Sequence, residues 1–407
     1  MCIRDSSYTV LSVKYMQDTN GVYDLKTLTP TVGNPQLYTD GVGGSVSFAL
    51  NASGAVGTGG FLNVGQYPIT GTTTSKQGNN FLYDPVFIGT LSVTQKVLTP
   101  QAAPSKTYDG TTDMPTPNVS LAGVVAGDVV NSTSSGLYHT RNAGNAVAYS
   151  IYDVALSGSD SSNYYLTQTG FSANNGVITP KAVTLSPQAV SKIYDASTNS
   201  VASNADLAVL SAQLGIAGDR VSAVTLTYDN KNAGSNKILS ASAAVIEDGN
   251  QGLNYQVTYQ NNAQSQITQA VLSVSGSSVA TKAYDGTNAA SLTGGALVGV
   301  IGADHVSLSQ SGLFASVNAA SGIAVTATNG ISGTDAANYT LVQPSGLNGT
   351  ITPKQLSVSG TVVADKVYSG TTDAAISTMG TLQGLVGTET LLLSGNARFV
   401  TALSLIH

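Results

Sequence analysis

Lysine and tyrosine meet four times in one short phrase, three times with an aspartate beside them, and these are the side chains of this sequence best suited to chemistry. The copies are Lys106-Thr107-Tyr108-Asp109-Gly110, Lys192-Ile193-Tyr194-Asp195-Ala196, Lys282-Ala283-Tyr284-Asp285-Gly286 and Lys366-Val367-Tyr368-Ser369-Gly370. Acidic loops of this kind hold calcium in many extracellular modules, and Asp109 with Asp113, or Asp195 with Asn199, would offer oxygens at one spacing. The third copy breaks the pair, with Ala289 after Asp285, and the fourth offers Ser369 and Asp373; the sequence therefore argues for no metal. The lysines Lys106, Lys192, Lys282 and Lys366, with Asn142, Asn232 and Asn318, also recur as partners for an intramolecular isopeptide bond, which needs both groups and an acid buried together. His139 and His305 fall at different places in their repeats and His407 stands at the last position, so no repeated active site rests on histidine. A Gly-x-Ser-x-Gly elbow, a Cys/His cluster and a phosphate loop are all missing. Gly57-Thr58-Gly59-Gly60 is glycine-rich, but nothing around it reads as strand then helix. The expectation is a chain that is not an enzyme and carries no cofactor.

The tyrosines of the phrase stand 86, 90 and 84 residues apart, a period as long as a small domain and too long for one solenoid turn. Further markers keep their order within it. Ala126-Gly127-Asp128-Val129 is matched by Ala217-Gly218-Asp219-Arg220-Val221 and Gly302-Ala303-Asp304-His305-Val306. Asn142-Ala143-Gly144 is matched by Asn232-Ala233-Gly234 and Asn318-Ala319-Ala320. The pairs Asn163-Tyr164, Asn254-Tyr255 and Asn338-Tyr339 follow, and Ile178-Thr179-Pro180-Lys181, Ile267-Thr268-Gln269 and Ile351-Thr352-Pro353-Lys354 close the repeats.

Between markers, short runs such as Leu91-Ser92-Val93-Thr94, Val221-Ser222-Ala223-Val224-Thr225-Leu226 and Leu356-Ser357-Val358-Ser359 alternate apolar and polar residues, the mark of a half-buried strand. At one strand and turn per roughly 8–12 residues, a repeat holds on the order of seven to nine strands. Composition argues against helices: glutamate occurs only at Glu247 and Glu389, while β-branched residues and tyrosine abound. The expected fold is all-β, a tandem array of small β-sandwich domains, Ig-like or β-grasp-like. Each would bury its own core, and neighbours would share only short linkers. In that frame Tyr108, Tyr194, Tyr284 and Tyr368 end a strand and anchor a ring. Asp109, Asp195 and Asp285 close an Asx-type turn, and Gly110, Gly286 and Gly370 supply left-handed backbone.

The boundaries read as a diverged repeat at 7–96, which keeps Asn63-Val64-Gly65 and Val93-Thr94-Gln95-Lys96, then repeats at 97–180, 181–269 and 270–353 and a truncated copy at 354–402. Residues 1–6 and 403–407 resemble translated sequencing adapter, which would make the chain a piece of a longer protein and leave the real protein without its one cysteine, Cys2.

Only 9% of residues are charged and the net charge is −6, with no basic run to capture nucleic acid or anionic lipid. No uninterrupted apolar stretch reaches the roughly 18 residues of a membrane span. Hydrophobic residues at 42% still suffice for cores, so low charge here does not mean disorder.

The Lys-x-Tyr-Asp-Gly-Thr phrase with its ordered downstream markers resembles the YDG-type repeat of large bacterial filamentous-haemagglutinin-like adhesins. The resemblance covers residues 97–402, with Ala196 and Ser369 departing from the motif. It implies export by a two-partner secretion transporter, a location outside the cell or on its outer surface, and contact with glycans or proteins of a host or neighbouring cell. The function expected is that of a non-catalytic stalk segment in adhesion or biofilm. A carbohydrate-binding array, with exposed tyrosines and Asn/Asp loops gripping glycans, is the alternative, and an enzyme carried in a domain elsewhere comes third.

Overall fold

The computed structural model describes residues 43–78 and 90–400, with short strands at Val13–Lys14, Leu25–Lys26, Gln36–Thr39 and Val86–Phe87. The two segments expected to be foreign, 1–6 with Cys2 and 403–407, lie outside the described residues. The chain is mostly β and its repeats share one plan. In the first repeat, Lys96–Gln101 is the centre of a three-stranded sheet between Ser120–Ala122 and Tyr164–Leu166. A four-stranded sheet runs Asn131–Tyr138, Gly144–Ser157, Phe171–Thr179, Ser105–Thr107. The third repeat places Ala270–Ser275 between Ala296–Val298 and Tyr339–Val342, and orders its larger sheet Lys282–Ala283, Leu347–Thr352, Ala320–Ala327, Gly312–Phe314, Ala289–Ala290.

The strand that carries the Lys-x-Tyr phrase always pairs in parallel with the closing Ile-Thr strand of its own repeat: Lys106 stands opposite Ile178, Lys192 opposite Ile267 and Lys282 opposite Ile351. The tyrosine amide then donates to the closing threonine carbonyl, Tyr108 to Thr179, Tyr194 to Thr268 and Tyr284 to Thr352, each at 2.8 Å. The first and last markers of a repeat are thus one structural element, which fixes where the tyrosine ring leaves the sheet.

Alternation decides which side chains reach the core. Along Gly144–Ser157 the inward residues are Val147, Tyr149 and Ile151, and the phase then slips to Val154. Asp153, with φ +55°, supplies the slip; Ala243, with φ +49°, stands between Ala241 and Ile246 in the same role in Gly234–Glu247. A left-handed residue inside a strand shortens the pairing and turns the next side chain to the other face.

The second repeat departs from the expected absence of helices. Where its neighbours place Ser120–Ala122 and Ala296–Val298, it carries an α-helix, Asn204–Leu214. A reciprocal cap starts it: the Asp206 amide donates to Ser203 Oγ at 3.2 Å, and the Ser203 amide to Asp206 Oδ2 at 2.8 Å. Leu210 and Leu214 are fully buried, and Gly215, at φ +66°, ends the helix. Scarce glutamate across the chain says nothing about an Ala- and Leu-rich stretch with its own cap.

Two compact units divide the chain, and their boundary runs through the second repeat: Met1–Thr184, Ser211–Ser222 and Val245–Thr258 form one, Leu185–Leu210, Ala223–Ala244 and Tyr259–His407 the other. In the second unit one apolar cluster joins Tyr194, Leu226, Tyr228 and Leu239 of the second repeat to Ala270, Leu272 and Tyr339 of the third. Neighbours that share only short linkers would not share a core, so that expectation is corrected.

Candidate functional site

Each lysine of the phrase sits in an oxygen cage made by its own turn. Lys106 Nζ donates to Asp109 Oδ1 at 2.7 Å, to the Thr111 carbonyl at 2.8 Å and to the Asp113 carbonyl at 3.0 Å. Lys192 repeats this with Asp195 Oδ1, Ser197 O and Asn199 O, Lys282 with Asp285 Oδ1 and Thr287 O, and Lys366 with Thr371 O and Asp373 O. Aromatic rings lie near three of the ammonium groups, Tyr138, Tyr228 and Phe314, at 5.5–5.8 Å to the centroid. The aspartate also accepts the amide two residues on, Asp109 from Thr111, Asp195 from Ser197 and Asp285 from Thr287, each at 2.9 Å. A hydrogen bond from Lys282, then those from Thr287, hold the Asp285 carboxyl down to about 2.

This arrangement bears on both chemistries weighed for the phrase. The cation at the centre of the loop is the chain's own ammonium, and Asp113 and Asn199 turn their backbone carbonyls to it. The lysines bond to their turns and not to Asn142, Asn232 or Asn318, so the structure does not bring the isopeptide partners together.

The tyrosines reach into the next repeat. Tyr108 donates to Asp219 Oδ2 at 2.7 Å, and Tyr255 donates to the same oxygen at 2.7 Å. Arg141 reaches the other oxygen, Asp219 Oδ1, at 3.1 Å and the Asp248 carbonyl at 2.9 Å. One repeat later Tyr194 and Tyr339 donate to Asp304 Oδ2 at 2.7 and 2.6 Å, and Lys231 bonds Asp304 Oδ1 at 3.1 Å. The rings meet edge to face, Tyr108 on Tyr255 at 5.5 Å and Tyr194 on Tyr339 at 5.4 Å. Tyr108 and Tyr194 are each 2% exposed.

A second clasp lies beside the first. The amide of the alanine in Asn-Ala-Gly donates to the asparagine of the next repeat's Asn-Tyr pair: Ala143 to Asn254 Oδ1 at 2.7 Å and Ala233 to Asn338 Oδ1 at 2.8 Å. Val64, in the variant Asn63-Val64-Gly65, donates to Asn163 Oδ1 at 2.8 Å in the same way. Asn163 and Asn338 end 3₁₀ turns, Ser161–Asn163 and Ala336–Asn338, and Asn163, Asn254 and Asn338 are all buried. In the first repeat Tyr164 donates to Asp128 Oδ2 at 2.6 Å, and the glycine-rich stretch packs close beside it: a Cβ on Gly59 would come within 2.5 Å of Asp128 Oδ1. The Thr58 amide donates to Asp160 Oδ1 at 3.0 Å. Gly57-Thr58-Gly59-Gly60 is therefore a close-packing surface for backbone.

Burial and charge act against each other at Asp304. Burial raises its pKa, yet hydrogen bonds from Tyr339, Tyr194 and Lys231 outweigh that and hold the carboxyl below the usual carboxylate value. Its partner Tyr339 shifts the other way, pushed up to about 12 by burial, then by the hydrogen bond to Asp304. Tyr108 is raised to about 12 at the Asp219 joint for the same two reasons. The joint is a carboxylate kept charged by two neutral phenols and a cation.

Of the sequence-derived residues, Tyr108, Tyr194 and Tyr284 enter joints, Asp109, Asp195 and Asp285 stay in their own turns, and Gly110 and Gly286 lie against the following repeat. A Cβ on Gly110 would meet Ile216 Cγ2 at 2.6 Å, and one on Gly286 would meet Val386 Cγ1 at 2.9 Å. Ala196 takes the glycine's place at φ +61°. Tyr368 is 75% exposed and Gly370 keeps φ +74°. The sequence reading missed Arg141, Lys231 and Glu389. Arg141 and Lys231 both stand directly before Asn-Ala-Gly, a visible signal. Glu389 occupies the Asp304 position in Val386-Gly387-Thr388-Glu389, and Tyr284 donates to its Oε1.

A mostly-β array of repeats, the first clasped to the second and the second to the third by matching tyrosines, aspartates and asparagines, defines a tandem repeat protein. The YDG domain model matches three times, over residues 94–170, 179–263 and 268–346, more than half of the chain, which belongs to the YDG domain family. No curated protein and no solved structure matches it.

Proposed function

We propose that the chain is a non-catalytic stalk segment of a large secreted or surface-exposed bacterial adhesin of the filamentous-haemagglutinin type, exported by a two-partner secretion transporter. Each repeat is, in this proposal, a small two-layer β-sandwich, and the array contributes to adhesion or biofilm by length and repetition. One observation carries the reading: the residues that define the repeat are spent on joining it to the next. Tyr108 and Tyr194 are buried against Asp219 and Asp304, so these two tyrosines of the phrase offer no face on which a sugar could stack.

Two measurements test it. The first is binding of the full chain to an immobilised panel of host and bacterial glycans, where the stalk reading expects no saturable binding. Micromolar binding abolished by a surface tyrosine substitution such as Tyr152→Ala, without loss of folding, would replace the stalk with a binding array. The second is recovery of the complete reading frame, in which a catalytic module in place of a secretion domain would overturn the class.

A further inference from the structure

The joints are not equally equipped. At the position directly before Asn-Ala-Gly the first repeat has Arg141, the second Lys231 and the third Val317. Arg141 ties Asp219 to the Asp248 carbonyl and lies 6.0 Å from the Tyr108 ring centroid. Lys231 bridges two carboxylates, Asp304 at 3.1 Å and Asp335 at 3.4 Å, and lies 5.9 Å from the Tyr194 ring. At the third joint Tyr284 donates to Glu389, and the Val386 amide donates to the same carboxylate at 3.3 Å. No cation pairs with Glu389 among the described residues.

We propose that the residue before Asn-Ala-Gly sets how firmly each joint is held, and that the joint between the third and fourth repeats is the one that opens first. The argument is electrostatic. A carboxylate that accepts two bonds from neutral donors still carries an uncompensated charge. A cation placed on its free oxygen supplies a charge-assisted bond in a partly dry site, where such bonds are about twice as strong as neutral ones. It also lies beside the tyrosine ring and covers it. Val317 does neither. The position is a positioning residue that acts through the tyrosine–carboxylate contact, and the same repeat plan then gives stiff or yielding joints by one substitution.

Tyrosine nitration of the full chain, resolved by peptide mass spectrometry, reads each joint separately. The unsubstituted chain should label Tyr284 at least tenfold faster than Tyr108 and Tyr194, by an estimate of about tenfold per missing strong bond. Val317→Lys should slow Tyr284 severalfold and leave Tyr194 unchanged, a gain that a merely structural valine would not give. Lys231→Val should bring Tyr194 toward the Tyr284 rate with Tyr108 unaffected, and Lys231→Arg should keep it protected. The proposal is overturned if Val317→Lys leaves Tyr284 labelling as it was in a chain that still folds, or if Lys231→Val leaves Tyr194 protected. Should Lys231→Val unfold the second repeat, Asp335→Asn, which removes only the outer carboxylate, must leave Tyr194 more protected than Tyr284, and equal rates would count against the idea.

Discussion

Removing one hydroxyl from a joint should loosen two repeats at once. Tyr194→Phe keeps the ring and its edge contact with Tyr339 at 5.4 Å, and it leaves Asp304 with Tyr339 and Lys231, so no buried charge is stranded. What is lost is one hydrogen bond to an ionised acceptor, about 2 kcal/mol within the usual range for charged partners. That corresponds to roughly a 30-fold rise in the population of the opened joint. Hydrogen exchange on the full chain reports it at amides that belong to the joint: Ala233, which donates to Asn338 Oδ1 across the joint, and Ile301, which donates to Tyr339 Oη within the third repeat. Both should exchange about 30-fold faster if opening runs through the joint. Tyr149→Phe, whose hydroxyl bonds to Ala102 O and Asn175 Oδ1 stay within the first repeat, is the control and should leave Ile301 untouched. If Tyr194→Phe speeds exchange at the Tyr194 amide while Ile301 and Ala233 keep their protection, the repeats do not open together and the shared core is not a coupling element.

Four further outcomes follow from the same contacts. Lys192→Met should cost about 2 kcal/mol of second-repeat stability, because two carbonyls and Asp195 lose one charged donor; urea unfolding checks it, and an unchanged midpoint would show the cage to be ornamental. Excess calcium against chelator should leave the melting temperature of the full chain unchanged, since the loop's oxygens are already engaged by ammonium; a calcium-dependent rise would contradict this through native-state linkage. Gly110→Ala should cost about 2 kcal/mol, from the left-handed φ of +79° and the overlap with Ile216, whereas a neutral result in thermal unfolding would mean the joint has slack. Tyr108 and Tyr339 have pKa values raised from 10.0 to about 12, so their contribution is complete below pH 10 and is lost as the pH climbs through about 12. Tyrosinate absorbance and unfolding should therefore rise together in that window, and Asp304→Asn should bring Tyr339 ionisation down toward 10.

The sequence exposes what lies within one period and hides what lies between two. The turn was legible because Asp109 and Thr111 meet two residues apart, and glycine at Gly110 announces its left-handed backbone. The strand at Thr90–Val93 was legible because Leu91, Ser92, Val93 and Thr94 alternate, and Leu91 and Val93 are the buried pair. The helix at Asn204–Leu214 had local signals in Ser203, Asp206 and Gly215, which composition averaged over the whole chain concealed. The joint had none. Tyr108 and Asp219 are 111 residues apart, and each reads plausibly as a feature of its own repeat, so a tyrosine looks like a core anchor and an Ala-Gly-Asp like a turn. Only the fold places the tyrosine phrase and Asn-Ala-Gly of one repeat against the Ala-Gly-Asp and Asn-Tyr segments of the next. There, markers that recur at one period become complementary halves of a single contact. Every repeat then carries both halves, and that explains why the markers recur as a set. A tyrosine without an acidic residue in the next repeat would bury an unpaired hydroxyl, and an aspartate without the preceding tyrosine would bury a charge short of a donor. At the third joint Glu389 stands where the earlier repeats have the aspartate, and Tyr284 donates to it. That departure keeps the joint closed by another acid, which places the constraint on the contact between repeats and not on the phrase itself.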